Sequence, residues 1–258
     1  MALDLDKLRA RADEAALCFD FDGTLAPIVD DPETAAALPG TPELLARLVE
    51  RYAAVALISG RPAAFLAAKV DVPRLRFVGL YGMEEIHDGE VSVDPEAESW
   101  RDAVAAAARD LAADEAVTSS GAWLEDKGLA VGVHLRRVAD PGRWTGPVEA
   151  AVQAVAERSG LAIAPGKLVW ELRPPVDRHK GHAVRRVAGE VGARVVAMAG
   201  DDLGDLHAFE EVERMAAEGT EGLRIAIRSA ESPQALLDAA DLVVDGPEGL
   251  QALMETLA

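Results

Sequence analysis

Three short runs without a polar side chain constrain this chain more than any other feature. Ala15-Ala16-Leu17-Cys18-Phe19, Val55-Ala56-Leu57-Ile58 and Val195-Val196-Ala197-Met198-Ala199 are wholly apolar, and each gives way at once to polar residues and glycine. A strand with one wet face alternates polar and apolar residues, whereas a strand without alternation is covered on both sides. Strands are predicted at Leu17–Phe21, Val55–Ser59, Arg76–Leu80, Val195–Ala199, Leu223–Ile227 and Leu242–Val244. Amphipathic, alanine-rich runs separate several of them. Such alternation implies an α/β fold, a parallel sheet with helices on both faces. Aromatic residues make up only 4%, so Ala, Val and Leu must fill the core. Thr41-Pro42 and Ser232-Pro233 each set a capping hydroxyl before a proline, a favoured helix start. Gly192 follows the helical pattern His182–Val191 and fits its C-terminal cap.

The middle of the chain reads differently. Val91–Val93, Trp123–Glu125, Leu129–Leu135, Leu161–Ala164 and Leu168–Leu172 are closely spaced strand patterns, two of them joined by the hairpin-like turn Asp126-Lys127-Gly128. Helical patterns cover Ala97–Ala113 and Val148–Arg158. The expectation is an α+β module at 88–173, inserted into an α/β domain made of 1–87 and 174–258.

The formal net charge of −19 repels nucleic acid and anionic membrane, which excludes both as general partners. It equally repels an anionic substrate, which then requires a metal or a local basic cluster. Cys18 is the single cysteine, so neither an internal disulfide nor a thiolate zinc site is available. The N-terminus has no apolar signal core, and no apolar run approaches the roughly 20 residues that span a bilayer. A soluble, cytoplasmic, monomeric protein is expected.

Ligands bind outside the carboxyl ends of the strands in open parallel sheets. The three apolar runs lead there into Asp20-Phe21-Asp22-Gly23-Thr24, Ser59-Gly60-Arg61 and Gly200-Asp201-Asp202-Leu203-Gly204-Asp205. On a continuing strand Asp20 and Asp22 would face opposite sides, but Gly23 lets the chain turn so that both reach one site. A polar turn is the plain alternative. A calcium loop fails, because its glycine is misplaced and a strand precedes it. The Ser59 hydroxyl and nearby amides, Gly60 included, could hold a phosphate oxygen where Pro62 opens a helix; most such tripeptides are simple turns. Asp201, Asp202 and Asp205 suit a hard, oxygen-loving cation or a solvated acidic loop. Lys180 gains meaning as a positive point charge for a phosphate beside several aspartates. His179 and His182 have no carboxylate or cysteine pattern around them and are assigned to surface or supporting roles, and Cys18 to the core.

Asp20-Phe21-Asp22-Gly23-Thr24, Ser59, Lys180 and Gly200-Asp201-Asp202 occur in the order of the four motifs of the haloacid dehalogenase-like phosphohydrolases, which the chain resembles. Leu124 to Arg136 and Gly166 to Pro174 are similar to the cap segments of trehalose-6-phosphate phosphatases. The resemblance implies a Rossmann-like hydrolase core with an inserted α+β cap that closes over a sugar phosphate, with hinges near Asp88 and Pro174-Pro175. It implies that Asp20 is the nucleophile and Asp22 the general acid and base. Mg²⁺ would be held by Asp20, the Asp22 main-chain carbonyl and Asp201, with Asp205 or Asp202 ligating or orienting its waters. Ser59, Gly60 and Lys180 would hold phosphate. Arg61, Glu125, Lys127, His134, Arg136, Lys167 and Glu171 are the candidate substrate contacts; a carboxylate accepts from sugar hydroxyls and an ammonium donates to them.

The chain departs from the family at three places: Tyr81 stands where a histidine is common, Gly204-Asp205-Leu206 replaces Thr-Asp-Glu, and His182 replaces a smaller residue. Tyr81 keeps phosphatases of sucrose phosphate, a glycosyl-phosphoglycerate or a hexose phosphate in play. A non-catalytic sugar-phosphate sensor is the rival from another class.

Overall fold

The computed structural model describes residues 5–29, 31–166 and 168–258. In chain order its strands are β1 (Ala15–Phe19), β2 (Ala54–Ile58), β3 (Arg76–Gly79), β4 (Glu84–His87), β5 (Glu90–Val93), β6 (Trp123–Asp126), β7 (Val131–His134), β8 (Ala162–Gly166), β9 (Val169–Arg173), β10 (Val195–Gly200), β11 (Glu221–Arg228) and β12 (Leu242–Asp245). Eight form one sheet in the order β12-β11-β10-β1-β2-β3-β4-β5, and four form another in the order β6-β7-β9-β8. Contacts divide the chain into a unit of the residues up to Ser92 with Arg178–Ala258, and a second unit, Val93–Asp177. Both breaks fall a few residues after the positions expected from sequence.

In the first unit β12 through β3 are parallel and β4 is antiparallel to β3. Phe19 of β1 stands opposite Ala199 on one side and Leu57 on the other. From β1 the chain builds outward through β2 and β3, and later returns on the opposite side of β1 at β10. β1 is therefore the point where the winding reverses, and a crevice opens at its carboxyl end.

The apolar runs divide their side chains between two cores. Leu17, Phe19, Val55, Leu57, Val195 and Ala197 face one, closed by the helices Thr41–Arg51 and Gly246–Leu257. Ala16, Cys18, Ala54, Ala56, Val196 and Met198 face the other, beneath the helices Lys180–Glu190 and Leu206–Ala217. These two helices pack tightly: a Cβ on Gly181 would lie 2.4 Å from the His207 carbonyl oxygen. That approach sets the start of the first helix, and hence Lys180, over the sheet.

Three local expectations are corrected. Val91–Val93 does not join the inserted module's sheet; β5 forms the edge of the large sheet, beside β4. The connection is Asp88-Gly89, both with left-handed φ (51° and 79°), as a tight two-residue hairpin requires, so Asp88 is a hairpin turn and not a loose hinge. Neither expected capping hydroxyl caps a helix. Thr41 is itself the first helical residue, behind Gly40, and Ser232 Oγ donates to the Ile227 carbonyl while the next helix starts at Gln234.

The second unit is an antiparallel sheet with one apolar face. Val131, Val133, Trp170 and Leu172 pack on the helices Arg101–Ala113 and Pro141–Ser159. The latter starts well before the predicted Val148, because the Asp140 carboxylate accepts from Arg143 N and proline occupies the first turn. No helix among the described residues is long and apolar enough to cross a membrane.

Candidate active site

Asp20 extends the β1 ladder by one bond, its N–H donating to the Ala199 carbonyl at 2.9 Å. The chain then curls, and the N–H groups of Leu25 and Ala26 both donate to the Phe21 carbonyl at 2.9 Å. Gly23 is left-handed at φ 80°, and a Cβ there would fall 2.0 Å from a carboxylate oxygen of Asp201. At the end of β10, a Cβ on Gly200 would fall 2.2 Å from the Asp205 carboxyl carbon. The two glycines make room for the two carboxylates, whatever else they do for the turns.

Asp205 is fully buried. Its Oδ2 accepts from the N–H groups of Asp201 (2.9 Å) and Asp202 (3.1 Å), and Asp202 Oδ1 accepts from Asp205 N in return (3.2 Å). Asp205 thus folds the acidic loop. Its Oδ1 accepts from Lys180 Nζ at 2.8 Å, and the same ammonium donates to Asp20 Oδ1 at 2.7 Å. Oxygens of Asp20, Asp201 and Asp205 all lie within 4.8 Å of one another. Burial, with too little positive charge to balance it, drives their protonation equilibria. Desolvation holds Asp20 well above the carboxylate range despite Lys180. Desolvation and then the neighbouring aspartates push Asp201 up to about 7. Asp205 rises to about 6, for the same first reason, against the pull of Lys180.

A donor set made only of carboxylate oxygens, over-supplied with negative charge, fits a hard divalent cation. Asp20 and Asp201 present it with lone pairs. Asp205 belongs to the same group, and because both its oxygens accept from protein donors it also orders the loop and Lys180.

The Asp22 side chain lies outside this carboxylate group. Its two oxygens accept from Arg61 Nε and Nη2, each at 2.8 Å. The resemblance implies a substrate contact for Arg61; the structure pairs it with Asp22. Ser59 is buried and its Oγ accepts from Arg61 N at 3.2 Å. Gly60 is covered by Tyr81, whose ring and hydroxyl would sit 2.6 Å from a Cβ at that position. Tyr81 and Leu80 both have left-handed φ (60° and 49°), an uncommon pair for residues with a Cβ. His179 caps the helix of Lys180 by accepting from Gly181 N, and its ring stacks on His182 at 3.8 Å between centroids. Phe65, which carries no sequence signal of its own, lies under the Arg61 guanidinium at 4.7 Å, and Thr24, the last residue of the Asp20–Thr24 motif, reaches Asp201 Oδ1 with its hydroxyl at 3.4 Å.

In the second unit the pairing Trp123↔His134, Glu125↔Gly132 and Gly132↔Glu171 puts these residues on the face away from the helices. Lys127 Nζ donates to Glu171 Oε2 at 2.6 Å, and His134 Nε2 meets Glu125 Oε2 at 2.9 Å. Glu171 Oε1 is buried without a hydrogen-bond partner among the described residues. An orphaned buried acceptor costs about 1–3 kcal/mol until a donor arrives. Arg136 falls in the exposed turn after β7 rather than on this face. Lys167 lies outside the described residues.

The fold is that of a haloacid dehalogenase-like hydrolase of Bacteroides thetaiotaomicron, which superposes with a TM-score of 0.64 at 17% identity, covering 95% of this chain and 99% of that one. A trehalose-6-phosphate phosphatase related protein superposes with a TM-score of 0.76 at 24% identity, covering 94% of this chain and 95% of that one. The sequence model of the trehalose-phosphatase family matches residues 18–241. A trehalose-phosphate phosphatase of Mycobacterium avium is 37% identical over 203 residues, 76% of this chain and 51% of that protein. One of Mycobacterium leprae is 33% identical over 263 residues, 98% of this chain and 59% of that protein. The chain belongs to the trehalose-phosphatase family. It spans between half and three-fifths of the length of these two relatives.

Proposed function

We propose that the protein hydrolyses trehalose 6-phosphate to trehalose and inorganic phosphate, with Mg²⁺ as cofactor and an aspartyl-phosphate intermediate. One observation carries the reading: a buried aspartate, Asp20, held by a buried lysine beside two further carboxylates at the sheet's reversal point. An Asp20 oxygen attacks phosphorus. The bond from phosphorus to the ester oxygen breaks, its electron pair stays on that oxygen, and Asp22, which enters this step as the carboxylic acid after leaving Arg61 and taking a proton from solvent, supplies the proton. Asp22, now ionised, takes a proton from water as the water oxygen attacks phosphorus, and the bond to Asp20 breaks. Lys180, Ser59 and nearby amides hold the phosphoryl oxygens. Asp20 and Asp201 would hold the ion, with the Asp22 carbonyl as third protein ligand; it supplies neutralisation of the phosphoryl charge, the main need in such transfers.

The sugar specificity rests on the second unit. Glu125, Lys127, His134 and Glu171 offer acceptors and donors on one face, and the unpartnered Glu171 Oε1 wants a hydroxyl. Tyr81 over Gly60 supports a second reading, a phosphatase of another sugar phosphate. Phosphate release from trehalose 6-phosphate, sucrose 6-phosphate, glucose 6-phosphate and glucosyl-3-phosphoglycerate, with Mg²⁺ and with chelator, separates them. Mg²⁺-dependent preference for the first, abolished in a folded Asp20→Asn variant, is expected. A near-normal rate in that variant removes Asp20 as nucleophile, and silence of the folded wild type on every ester leaves only the sensor.

A further inference from the structure

We propose that Tyr81 is a specificity-determining residue, whose phenol hydroxyl bonds the alcohol part of the substrate beside the ester; this rests on the phosphatase reading. The backbone here is strained. Leu80 and Tyr81 have left-handed φ in succession, 49° and 60°, a conformation that crowds the Cβ of each. Such strain persists only where the surroundings over-determine it, and it gathers at functional sites. Two fastenings hold this turn. Tyr81 N donates to the Ser59 carbonyl at 3.0 Å and Leu80 N to the Arg61 carbonyl at 2.9 Å, which ties the turn to the end of β2. On the other side a Cβ on Gly82 would lie 3.4 Å from the Ala183 Cβ, in the first turn of the helix Lys180–Glu190. The turn therefore sits between the strand end that carries Ser59 and the helix that carries Lys180, the two side chains assigned to the phosphoryl group.

The two strained residues send their side chains to different places. Leu80 is fully buried, whereas Tyr81 is only half-buried. The Tyr81 ring doubles back over Gly60, where a Cβ would fall 2.6 Å from both Cζ and the hydroxyl oxygen. The polar end of the ring is thus the part laid on the end of β2. In the sheet β3 stands two strands from β1, roughly 10 Å at the usual spacing, and the phenol spans roughly half of it. Its hydroxyl comes to the strand next to Asp20, the residue that attacks phosphorus. Packing alone does not ask for this, because an apolar side chain would cover a glycine without bringing an oxygen to the site. The phosphoryl oxygens only accept hydrogen bonds, and Lys180, Ser59 and the amides supply donors for them. A sugar hydroxyl both donates and accepts, as a phenol does. The geometry and the chemistry therefore suit the alcohol side of the ester.

Tyr81→Phe deletes one oxygen and keeps the ring, so it separates the hydroxyl from the packing. The test measures kcat and KM of wild type and Tyr81→Phe on two esters. One is whichever of the four sugar phosphates named above wild type turns over best. The other is para-nitrophenyl phosphate, whose leaving group carries no further hydroxyl. Inhibition of the second reaction by inorganic phosphate reads the phosphoryl site alone. Loss of one hydrogen bond to the alcohol predicts that kcat/KM of Tyr81→Phe falls about 10-fold on the sugar phosphate, mainly through KM, while its ratio to para-nitrophenyl phosphate falls nearly as far and phosphate inhibition shifts about 2-fold or less. An equal loss on both esters would place the hydroxyl on the phosphoryl group or in the fold, which phosphate inhibition distinguishes, and would overturn the proposal. No loss on either would leave Tyr81 as packing and overturn it too. A folded wild type that turns over none of the sugar phosphates would instead overturn the sugar-phosphatase reading, and this inference with it.

Discussion

Replacing Lys180 by methionine should destabilise the protein by an amount that grows with pH. The ammonium donates to Asp20 at 2.7 Å and to Asp205 at 2.8 Å, and its side chain is only 4% exposed. Removing one member of a buried ion pair costs roughly 3–5 kcal/mol when the other stays ionised. The carboxylates have an escape, which is to take up a proton. Burial already raises Asp20 well above its usual range and Asp205 to about 6, and in both Lys180 is the force that pulls them down. Without it both rise further. A carboxyl group whose folded value exceeds its unfolded one binds more protons in the folded state. Stability then falls as pH climbs from the unfolded value through the folded one. At pH 5 the variant's carboxyls are protonated and the loss reduces to ordinary hydrogen bonds, about 1–2 kcal/mol. At pH 8 they must ionise unpaired or hold protons against the solvent, and the loss approaches roughly 3–5 kcal/mol. Urea unfolding of wild type and Lys180→Met at both pH values, with chelator present, measures the difference. A destabilisation equal at pH 5 and pH 8 would refute the reasoning, because it would mean that Lys180 does not compensate ionised carboxylates.

Gly23→Ala places a methyl group 2.0 Å from the Asp201 carboxylate on a residue at φ 80°; the left-handed strain alone costs about 1–2 kcal/mol, and Mg²⁺ affinity by calorimetry should fall at least about tenfold, whereas unchanged affinity would remove Asp201 from the site. Ion binding should release protons, since Asp201 at about 7 must ionise: about 0.9 proton per ion from this group at pH 6 and about 0.1 at pH 8, read by calorimetry in two buffers of different ionisation heat, with equal release at both values counting against the assignment. Glu171→Gln removes the charge that pairs with Lys127 and one acceptor oxygen; KM for the sugar phosphate should rise about 10-fold, with the kinetics on para-nitrophenyl phosphate unchanged, and a loss shared by both substrates would deny the second unit its sugar-reading role.

Much of the site was legible because its residues follow directly on strands that the chain cannot place elsewhere. Asp20 and Asp201 come one and two residues after runs buried on both faces, so their position at one end of the sheet follows from the burial requirement alone. Glu125, His134 and Glu171 share a face because strand side chains alternate with period two. The Asp88-Gly89 hairpin is also legible, since Asp-Gly between two short strands is a strong turn signal. Trp123 sits on the same face as Glu125 by the same alternation, and its tilted contact with His134, at 4.7 Å between centroids, was equally open to reading.

The sequence by itself determined the six parallel strands with their helices, the apolar cores and the set of groups available for chemistry, because burial and periodicity are local properties of the chain. Only the tertiary structure decided which group meets which. Asp22 closes on Arg61, 39 positions away, and Lys180 reaches back 160 positions to Asp20. Both meetings depend on the register between strands and on how closely two helices approach the sheet, and no periodicity in the residues encodes either. Asp205 turned inward as an acceptor for its own loop for the same reason. A carboxylate's partner is set by which donors folding leaves within hydrogen-bond reach, and those donors come from parts of the chain that are distant in sequence.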